Sequence, residues 1–217
     1  QKGTVPFSGD SPYFPKKTKL EELYKKIKGC QNCPLHKTRI NLVLGCGNPA
    51  AKLMLIGEAP GYDEDRQGEP FVGKAGQLLN KIIEAIGLKR EEVYITNVVK
   101  CHPLHDERYP ERRGNDRPPD KEEIIACLPI LEEQISIIQP KIICTLGTVA
   151  GQTLLASPLP LTKLRGQFYD CSLHLPMPVS EMKLLPTFHP AALLRNPSLK
   201  RPTWEDFKKI QKVLSQQ

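Results

Sequence analysis

Short apolar runs alternate along this chain with segments whose apolar residues recur every three or four positions. The runs predict buried β-strands, and the periodic segments predict amphipathic helices. We predict strands over Lys52–Gly57, Val93–Val99, Lys141–Leu146 and Met182–Phe188, and helices over Thr18–Lys28, Lys74–Ile86, Asp120–Ile138, Thr148–Leu155 and Trp204–Leu214. This alternation indicates an α/β fold, with a three-layer α/β/α arrangement around a central, mostly parallel four-stranded sheet.

Four residues suited to a functional site lie at or just after the ends of these strands. They are Glu58, Asn97, Gly147 and His189. Because ligands of open α/β sheets bind outside the carboxyl ends of the strands, we expect the site at this edge.

The length of the chain suits a single domain. A chain of ~150 residues or more buries roughly two thirds of its unfolded surface, so 217 residues can form a core without disulfides. We expect a flexible segment over residues 1–15 and one domain over residues 16–217. No apolar run approaches the ~20 residues of a membrane helix, and the Pro-rich start is unlike a secretory signal. These features predict a cytoplasmic protein without a membrane partner.

Charge is distributed unevenly. The chain carries +7 overall, and both ends are basic: Lys16–Lys28 holds six Lys and two Glu, and Arg195–Gln217 holds six basic and two acidic residues. Between them, Gly57–Gly73 has five carboxylates and one Arg, a net charge of −4. The basic ends fit a nucleic-acid partner, although a basic balance alone often reflects no more than solubility.

The cysteines need an explanation, because seven is an odd number for a disulfide framework. Cys30 and Cys33 have the spacing with which two thiolates hold one metal centre, and Cys101 and Cys127 could complete a four-thiolate set. Zinc and an iron–sulfur cluster both accept such ligands, but the separation of the last two from the first pair argues against a zinc ribbon. A redox pair should open a helix, whereas this pair follows one. The other three, Cys46, Cys144 and Cys171, are predicted to be small buried hydrophobic residues.

The segment Gly57–Gly61 lacks a phosphate-loop Lys-Ser/Thr and a dinucleotide Gly pattern, and its carboxylates would repel phosphate, so we exclude a nucleotide site. Together, GEAPGYDEDRQGEPFVGKAGQLL, NVVKC and HPAALLRNP resemble the signature blocks of family 4 uracil-DNA glycosylases, the iron–sulfur members of that superfamily. The resemblance runs from Cys30 to about Arg201.

This resemblance implies a role for each matching residue. The four ligands of a structural [4Fe–4S] cluster would be Cys30, Cys33, Cys101 and Cys127. The aromatic that stacks on a flipped uracil would be Phe71, and His189 would stabilise charge at uracil O2. Backbone groups of Glu58, Ala59 and Pro60 would line the uracil site. This family lacks the obvious Asp general base of its best-known relatives, so Glu58, by its position in the motif, and Glu64 are the candidates to assist the water. A base that leaves as a stabilised anion is the alternative, because it needs no strong general base. A turn over Ala191–Pro197 would enter the minor groove, with Ala191, Leu194 and Arg195 as its DNA contacts.

Asn97 would recognise the pyrimidine edge, and its chemistry points the same way independently. Its amide offers one acceptor and one donor, which fit uracil N3–H and O4. Cytosine presents the opposite pattern and would leave two buried polar groups mispaired, each costing ~1–3 kcal/mol.

The resemblance implies a monofunctional glycosylase that removes uracil from single- or double-stranded DNA, leaves an abasic site for base excision repair, and acts as a monomer. The alternative is an iron–sulfur protein that traps uracil covalently or without turnover. One related branch traps uracil through a His in a Lys-Arg-Arg-Ile-His loop and has Gln where this chain has Ala59. The loop 102–119 is longer than usual and has Arg112-Arg113-Gly114 without a following His. Turnover is therefore favoured, while His105 keeps the alternative open.

Overall fold

A computed structural model describes residues 13–170 and 182–216, and six strands of this part form one sheet in the order β1-β3-β2-β4-β6-β5. The strands are β1 (Cys46–Gly47), β2 (Leu53–Gly57), β3 (Tyr94–Asn97), β4 (Ile142–Leu146), β5 (Tyr169–Asp170) and β6 (Lys183–Thr187). The four predicted strands are β2, β3, β4 and β6, and they are mutually parallel. Two unpredicted strands, β1 and β5, pair antiparallel at the two edges and bring the count from four to six.

Helices cover both faces of the sheet. They are α1 (Tyr13–Ile27), α2 (Tyr62–Gln67), α3 (Lys74–Ala85), α4 (Lys121–Ile138), α5 (Thr148–Leu155), α6 (Leu161–Leu164), α7 (Pro190–Arg195) and α8 (Lys200–Ser215), with short 3₁₀ helices at Pro34–Lys37, Arg90–Glu92 and Pro197–Leu199. All five predicted helices are present, although α1 begins at Tyr13 and α8 at Lys200, each earlier than the periodicity indicated. Within the described ranges, no helix combines the length and apolar character needed to cross a bilayer.

The core consists of two apolar clusters, one on each face of the sheet. Side chains alternate between the faces of a strand, so Met54 and Ile56 pack into one cluster while Leu53 and Leu55 pack into the other. The first cluster includes residues of α1, α4 and α5, and the second includes residues of α3 and α8. These two clusters confirm the predicted three-layer arrangement.

The strand register places the ends of the parallel strands at one edge. Gly57 pairs with Asn97, and Leu146 pairs with Thr187. The chain passes from β2 to β3 on one side and then crosses to β4 on the other, so the topological switch point lies beside the end of β2. A ligand site is expected there.

Candidate active site

A cleft opens at this edge, and we call it the strand-end cleft. Its walls are the segments that follow β2, β3, β4 and β6, together with part of the long loop 102–119. The structure brings nearly all of the predicted uracil-binding, catalytic and DNA-binding residues to it: Glu58, Ala59, Pro60, Glu64, Phe71, Asn97, His189, Ala191 and Arg195. Leu194 is the exception, because it lies on α7 with 48% of its surface exposed and does not line the cleft.

Gly57, the last residue of β2, lets the Asn97 and Phe71 side chains approach each other. A Cβ atom at this position would lie 2.3 Å from Asn97 Oδ1 and 2.6 Å from Phe71 Cζ. Both distances are shorter than real Cβ contacts, so any other residue would displace one of the two side chains. Glycine is therefore needed here for close packing.

Asn97 presents a buried polar group to the cleft. Its surface is 2% exposed, yet within the described part of the chain Oδ1 has no hydrogen-bond partner. Its backbone carbonyl accepts a hydrogen bond from Lys100 Nζ, which also donates to Thr96 Oγ1. Because an unsatisfied buried acceptor costs ~1–3 kcal/mol, Oδ1 is suited to accept a hydrogen bond from a ligand N–H.

His189 is held as a neutral ring. It caps α7, and its Nδ1 accepts a hydrogen bond of 3.1 Å from the Ala191 peptide N–H. Burial, with a contribution from Arg195, lowers the pKa of His189 to about 4. An accepting Nδ1 leaves the proton of the neutral ring on Nε2, so that Nε2–H is available as a donor.

Phe71 lies beside His189, with ring centroids 5.4 Å apart and an interplanar angle of 32°. The adjoining backbone is tightly held. The N–H groups of Val72 and Gly73 donate to Glu64 Oε1 at 2.9 and 3.0 Å, and a Cβ atom at Gly76 would lie 1.8 Å from the Phe71 carbonyl oxygen. The two predicted uracil contacts therefore form one aromatic wall of the cleft.

The two carboxylates predicted to assist the water differ in their surroundings. Glu58 is partly buried, and burial raises the pKa of its carboxyl. One oxygen of Glu64 instead accepts the two peptide N–H bonds that hold the loop beside Phe71. A raised pKa suits a group that exchanges protons, whereas a carboxylate that accepts peptide hydrogen bonds is suited to hold a loop in place.

The long loop 102–119 forms one side of the cleft, and its connections bind it to α2. Arg113 pairs with Asp63 at 2.8 Å, and its guanidinium lies 4.3 Å from the centre of the Tyr62 ring. Asp116, which lines the cleft, accepts a hydrogen bond from His102 Nε2 at 2.6 Å, and this contact lowers the pKa of the Asp116 carboxyl. His105 is exposed and does not line the cleft.

The four predicted ligand cysteines line a second, smaller cavity, which we call the cysteine cavity. Cys30, Cys33, Cys101 and Cys127 meet there beside Arg39 and Lys100. Among residues 13–170 and 182–216, no group of three or more His, Cys, Asp or Glu side chains is arranged to hold a single metal ion. The four thiols nevertheless line one cavity, which is the placement that the four-thiolate set predicted from the sequence requires.

Donors from the protein also reach these sulfurs. Arg39 Nη1 donates to Cys101 Sγ at 3.3 Å, and the Lys100 peptide N–H donates to Cys127 Sγ at 3.3 Å. Burial nevertheless raises the pKa of Cys101 to about 11. Because metal ligands must be thiolates, a group bound in this cavity would have to supply the positive charge that stabilises them.

The remaining cysteines differ in position. Cys144 is fully buried inside β4, as predicted, and burial raises the pKa of its thiol. Cys46 is partly buried on β1, beside Arg90. Cys171 lies outside the described residues.

Sequence comparisons find relatives of this chain among known proteins. A sequence model of the uracil DNA glycosylase superfamily matches residues 44–209. The type-4 uracil-DNA glycosylase of Sulfurisphaera tokodaii is 43% identical over 199 residues, which are 89% of this chain and 84% of the relative. Those of Saccharolobus solfataricus and Thermotoga maritima are 42% and 39% identical, each over 201 residues, covering 90% and 91% of this chain and 87% and 96% of the relatives.

The chain belongs to the type-4 uracil-DNA glycosylases. The resemblance carried by the three sequence blocks is thus confirmed at the level of the family. All three blocks contribute residues to the strand-end cleft, and the NVVKC block extends to the cysteine cavity.

Sequence reasoning missed several residues that shape this type-4 site. Gly57 and Gly76 provide close packing, Arg113 and Asp116 build the wall from the long loop, and Lys100 supports Asn97. Lys100 could have been found from the sequence, because it directly follows an apolar run that predicts a buried strand. The predicted turn over Ala191–Pro197 instead begins as helix α7, since Pro190 occupies the first helical turn, where its missing N–H is not needed.

Proposed function

We propose that this chain hydrolyses the N-glycosidic bond between uracil and deoxyribose in DNA and leaves an abasic site, as a step of base excision repair. The observation that carries the proposal is Asn97, whose buried and unsatisfied Oδ1 lies in the cleft next to Phe71. Uracil flipped from DNA would fill the space beside both side chains.

Recognition combines stacking with hydrogen bonding. Phe71 would stack on the flipped ring, a contact worth ~1–3 kcal/mol per base. Asn97 Oδ1 would accept from uracil N3–H, and its amide nitrogen would donate to O4. Cytosine would place an acceptor against an acceptor and a donor against a donor, so the same amide excludes it.

Bond cleavage moves an electron pair onto the base. As the bond between C1′ and N1 breaks, the pair stays on uracil and spreads onto O2. His189 would donate its Nε2–H to this oxygen, because Nδ1 accepts from the Ala191 peptide N–H and the neutral ring therefore carries its proton on Nε2. Uracil leaves as an anion and takes a proton from solvent afterwards.

Water completes the reaction by attack at C1′. Its oxygen forms the new bond to carbon, and one of its protons passes to a base. Glu58 is the carboxylate we assign to this step, because Glu64 Oε1 already accepts two peptide hydrogen bonds. Turnover is favoured over covalent trapping, since His105 does not line the cleft.

The four cysteines of the cysteine cavity would hold a [4Fe–4S] cluster. When bound, the cluster would cross-link the segments that carry Cys30, Cys33, Cys101 and Cys127, and we assign it no part in the bond cleavage. Thiolate ligands need a reducing compartment, and the six cysteines of the described residues are free. We therefore retain the cytoplasm as the proposed location.

DNA would approach along α7. Ala191 and Arg195 line the cleft at this helix, and Leu194 is exposed on it. Leu194 would enter the base stack and Arg195 would contact a phosphate. We propose that the protein acts as a monomer and accepts uracil in single- or double-stranded DNA.

A uracil-excision assay tests the proposal. Cluster-loaded protein is incubated with oligonucleotides that contain one uracil or one thymine, as single strands and duplexes. Alkali should then cleave only the uracil strand, while a denaturing gel without alkali shows no shifted band. Intact uracil strands would contradict the proposal, and a shifted band would favour covalent trapping.

A further inference from the structure

Phe71 has an unusual backbone conformation for an aromatic residue. Its φ is +54°, in the left-handed region, where a bulky side chain is a genuine outlier. Such a conformation persists only when the surroundings enforce it, and it often occurs at functional sites. The residue proposed to stack on uracil is therefore held against its own backbone preference.

Arg90 reaches the carbonyl groups of this strained segment from another element, the 3₁₀ helix Arg90–Glu92. Its Nη2 donates to the Pro70 carbonyl at 2.6 Å, and its Nη1 lies 3.4 Å from the Phe71 carbonyl. In an extended chain, successive carbonyls point to opposite sides, whereas here both point to one guanidinium. The left-handed turn at Phe71 is what brings them together.

The guanidinium is itself fixed in place. Nη1 donates to Asn80 Oδ1 on α3 at 3.0 Å, and Nη2 donates to Glu69 at 3.1 Å. The side chain of Arg90 is only 18% exposed. A planar group with several donors can serve these partners together, which a lysine ammonium cannot do in the same geometry.

We propose that Arg90 is a positioning residue that maintains the left-handed conformation of Phe71 and thereby aims its ring at the uracil site. This inference rests on the proposed function of Phe71. Arg90 does not line the strand-end cleft, so its effect on the substrate passes through the 69–71 segment. Its contribution should vanish when the aromatic ring is absent.

A double-mutant cycle tests this dependence. Excision is measured under single-turnover conditions for wild type, Arg90→Met, Phe71→Ala and the double variant, all loaded with the cluster. Arg90→Met should lower the rate by about 10- to 100-fold in wild type, but by less than about 3-fold when Phe71 is already Ala. An equal factor in both backgrounds would overturn the proposal, because a general structural role is additive.

Binding provides a second readout that does not depend on turnover. A duplex with 2′-fluoro-2′-deoxyuridine resists cleavage, and Arg90→Met should weaken its binding while leaving the affinity for a uracil-free duplex unchanged. If wild type excises no uracil, the proposed function fails, and this binding arm still tests Arg90. If wild type also binds the 2′-fluoro-2′-deoxyuridine duplex no more tightly than the uracil-free duplex, the proposed role of Arg90 is contradicted as well.

Two further variants complete the test. Arg108→Met is the matched control, because Arg108 is 80% exposed and pairs with Asp106, and it should retain the wild-type rate. Should Arg90→Met fail to fold, Arg90→Lys replaces it in the cycle. It keeps the charge but not the planar fork, so non-additivity with Phe71→Ala supports the proposal and additivity contradicts it.

Discussion

The strand-end cleft and the cysteine cavity lie at opposite ends of one short segment, Asn97–Cys101, but the protein builds them differently. In the cleft, contacts within the protein orient the polar side chains: Gly57 packs against Asn97, and the Ala191 peptide N–H sets the tautomer of His189. In the cysteine cavity, four thiols from three segments of the chain surround one space, and none of the described residues form a group that would hold a single metal ion.

This difference separates two kinds of contribution. Under the proposed function, a side chain of the cleft would act on the substrate and add little to folding, so its loss should lower activity at nearly unchanged stability. A thiol of the cavity would act through the proposed cluster, so its loss should lower stability and activity together. Lys100 connects the two, since its peptide N–H donates to Cys127 Sγ and its Nζ donates to the Asn97 carbonyl.

The largest effect should come from breaking the cysteine cavity. Cys127→Ala should abolish the absorbance at about 400 nm and lower Tm by about 10 °C or more, with activity falling in proportion to the iron lost. The matched control is Cys144→Ala, which removes another buried thiol outside the cavity and should keep the absorbance. A Cys127→Ala protein that retains full iron and activity would contradict the assignment of this ligand.

Asn97→Ala tests the strand-end cleft in the same way. Losing two hydrogen bonds to the base should lower single-turnover excision by about 10²- to 10⁴-fold, while Tm and iron content stay at wild-type values. Loss of iron together with activity would instead show that Asn97 acts through the cysteine cavity. Rates and absorbance spectra on the same preparation decide between these outcomes.

The cleft could be predicted from the sequence in part because regular strands position it. Apolar runs marked the four parallel strands, and the rule for strand ends then identified Asn97 and His189. The edge strands β1 and β5 have two residues each, too few to show a pattern. Helix α2 was missed because its sequence, YDEDRQ, carries no apolar periodicity.

The contacts that hold the cleft together were beyond sequence reasoning for a different reason. The φ of Phe71 and its contact with Arg90 depend on how α3 returns the chain to the sheet across 19 residues. Likewise, the approach of Gly57 to Asn97 depends on strand register. Local sequence patterns carry no information on a backbone angle or a contact that depends on residues distant in the chain.

A smaller effect should distinguish the two carboxylates. Glu58→Gln should lower the excision rate by about 10²-fold if this group accepts the water proton. Glu64→Gln keeps an amide oxygen for the Val72 and Gly73 N–H groups, so we expect it to stay within about 3-fold of wild type, whereas Glu64→Ala should lose about 10-fold. Equal losses for Glu64→Gln and Glu64→Ala would instead indicate that the charge of Glu64 takes part in the chemistry.

The smallest effect is expected in the dependence of stability on pH. The pKa of His189 falls from 6.5 to about 4 on folding, so between these values the unfolded chain binds more protons than the folded one. The contribution of His189 is therefore present above pH 6.5 and is lost as pH falls toward about 4. Urea unfolding from about pH 7 to about pH 5 should show wild type losing about 1 to 2 kcal/mol more than His189→Gln. Equal losses would mean that the ring accepts a proton in the cleft as readily as in the unfolded chain, and they would contradict a neutral His189 in the folded protein.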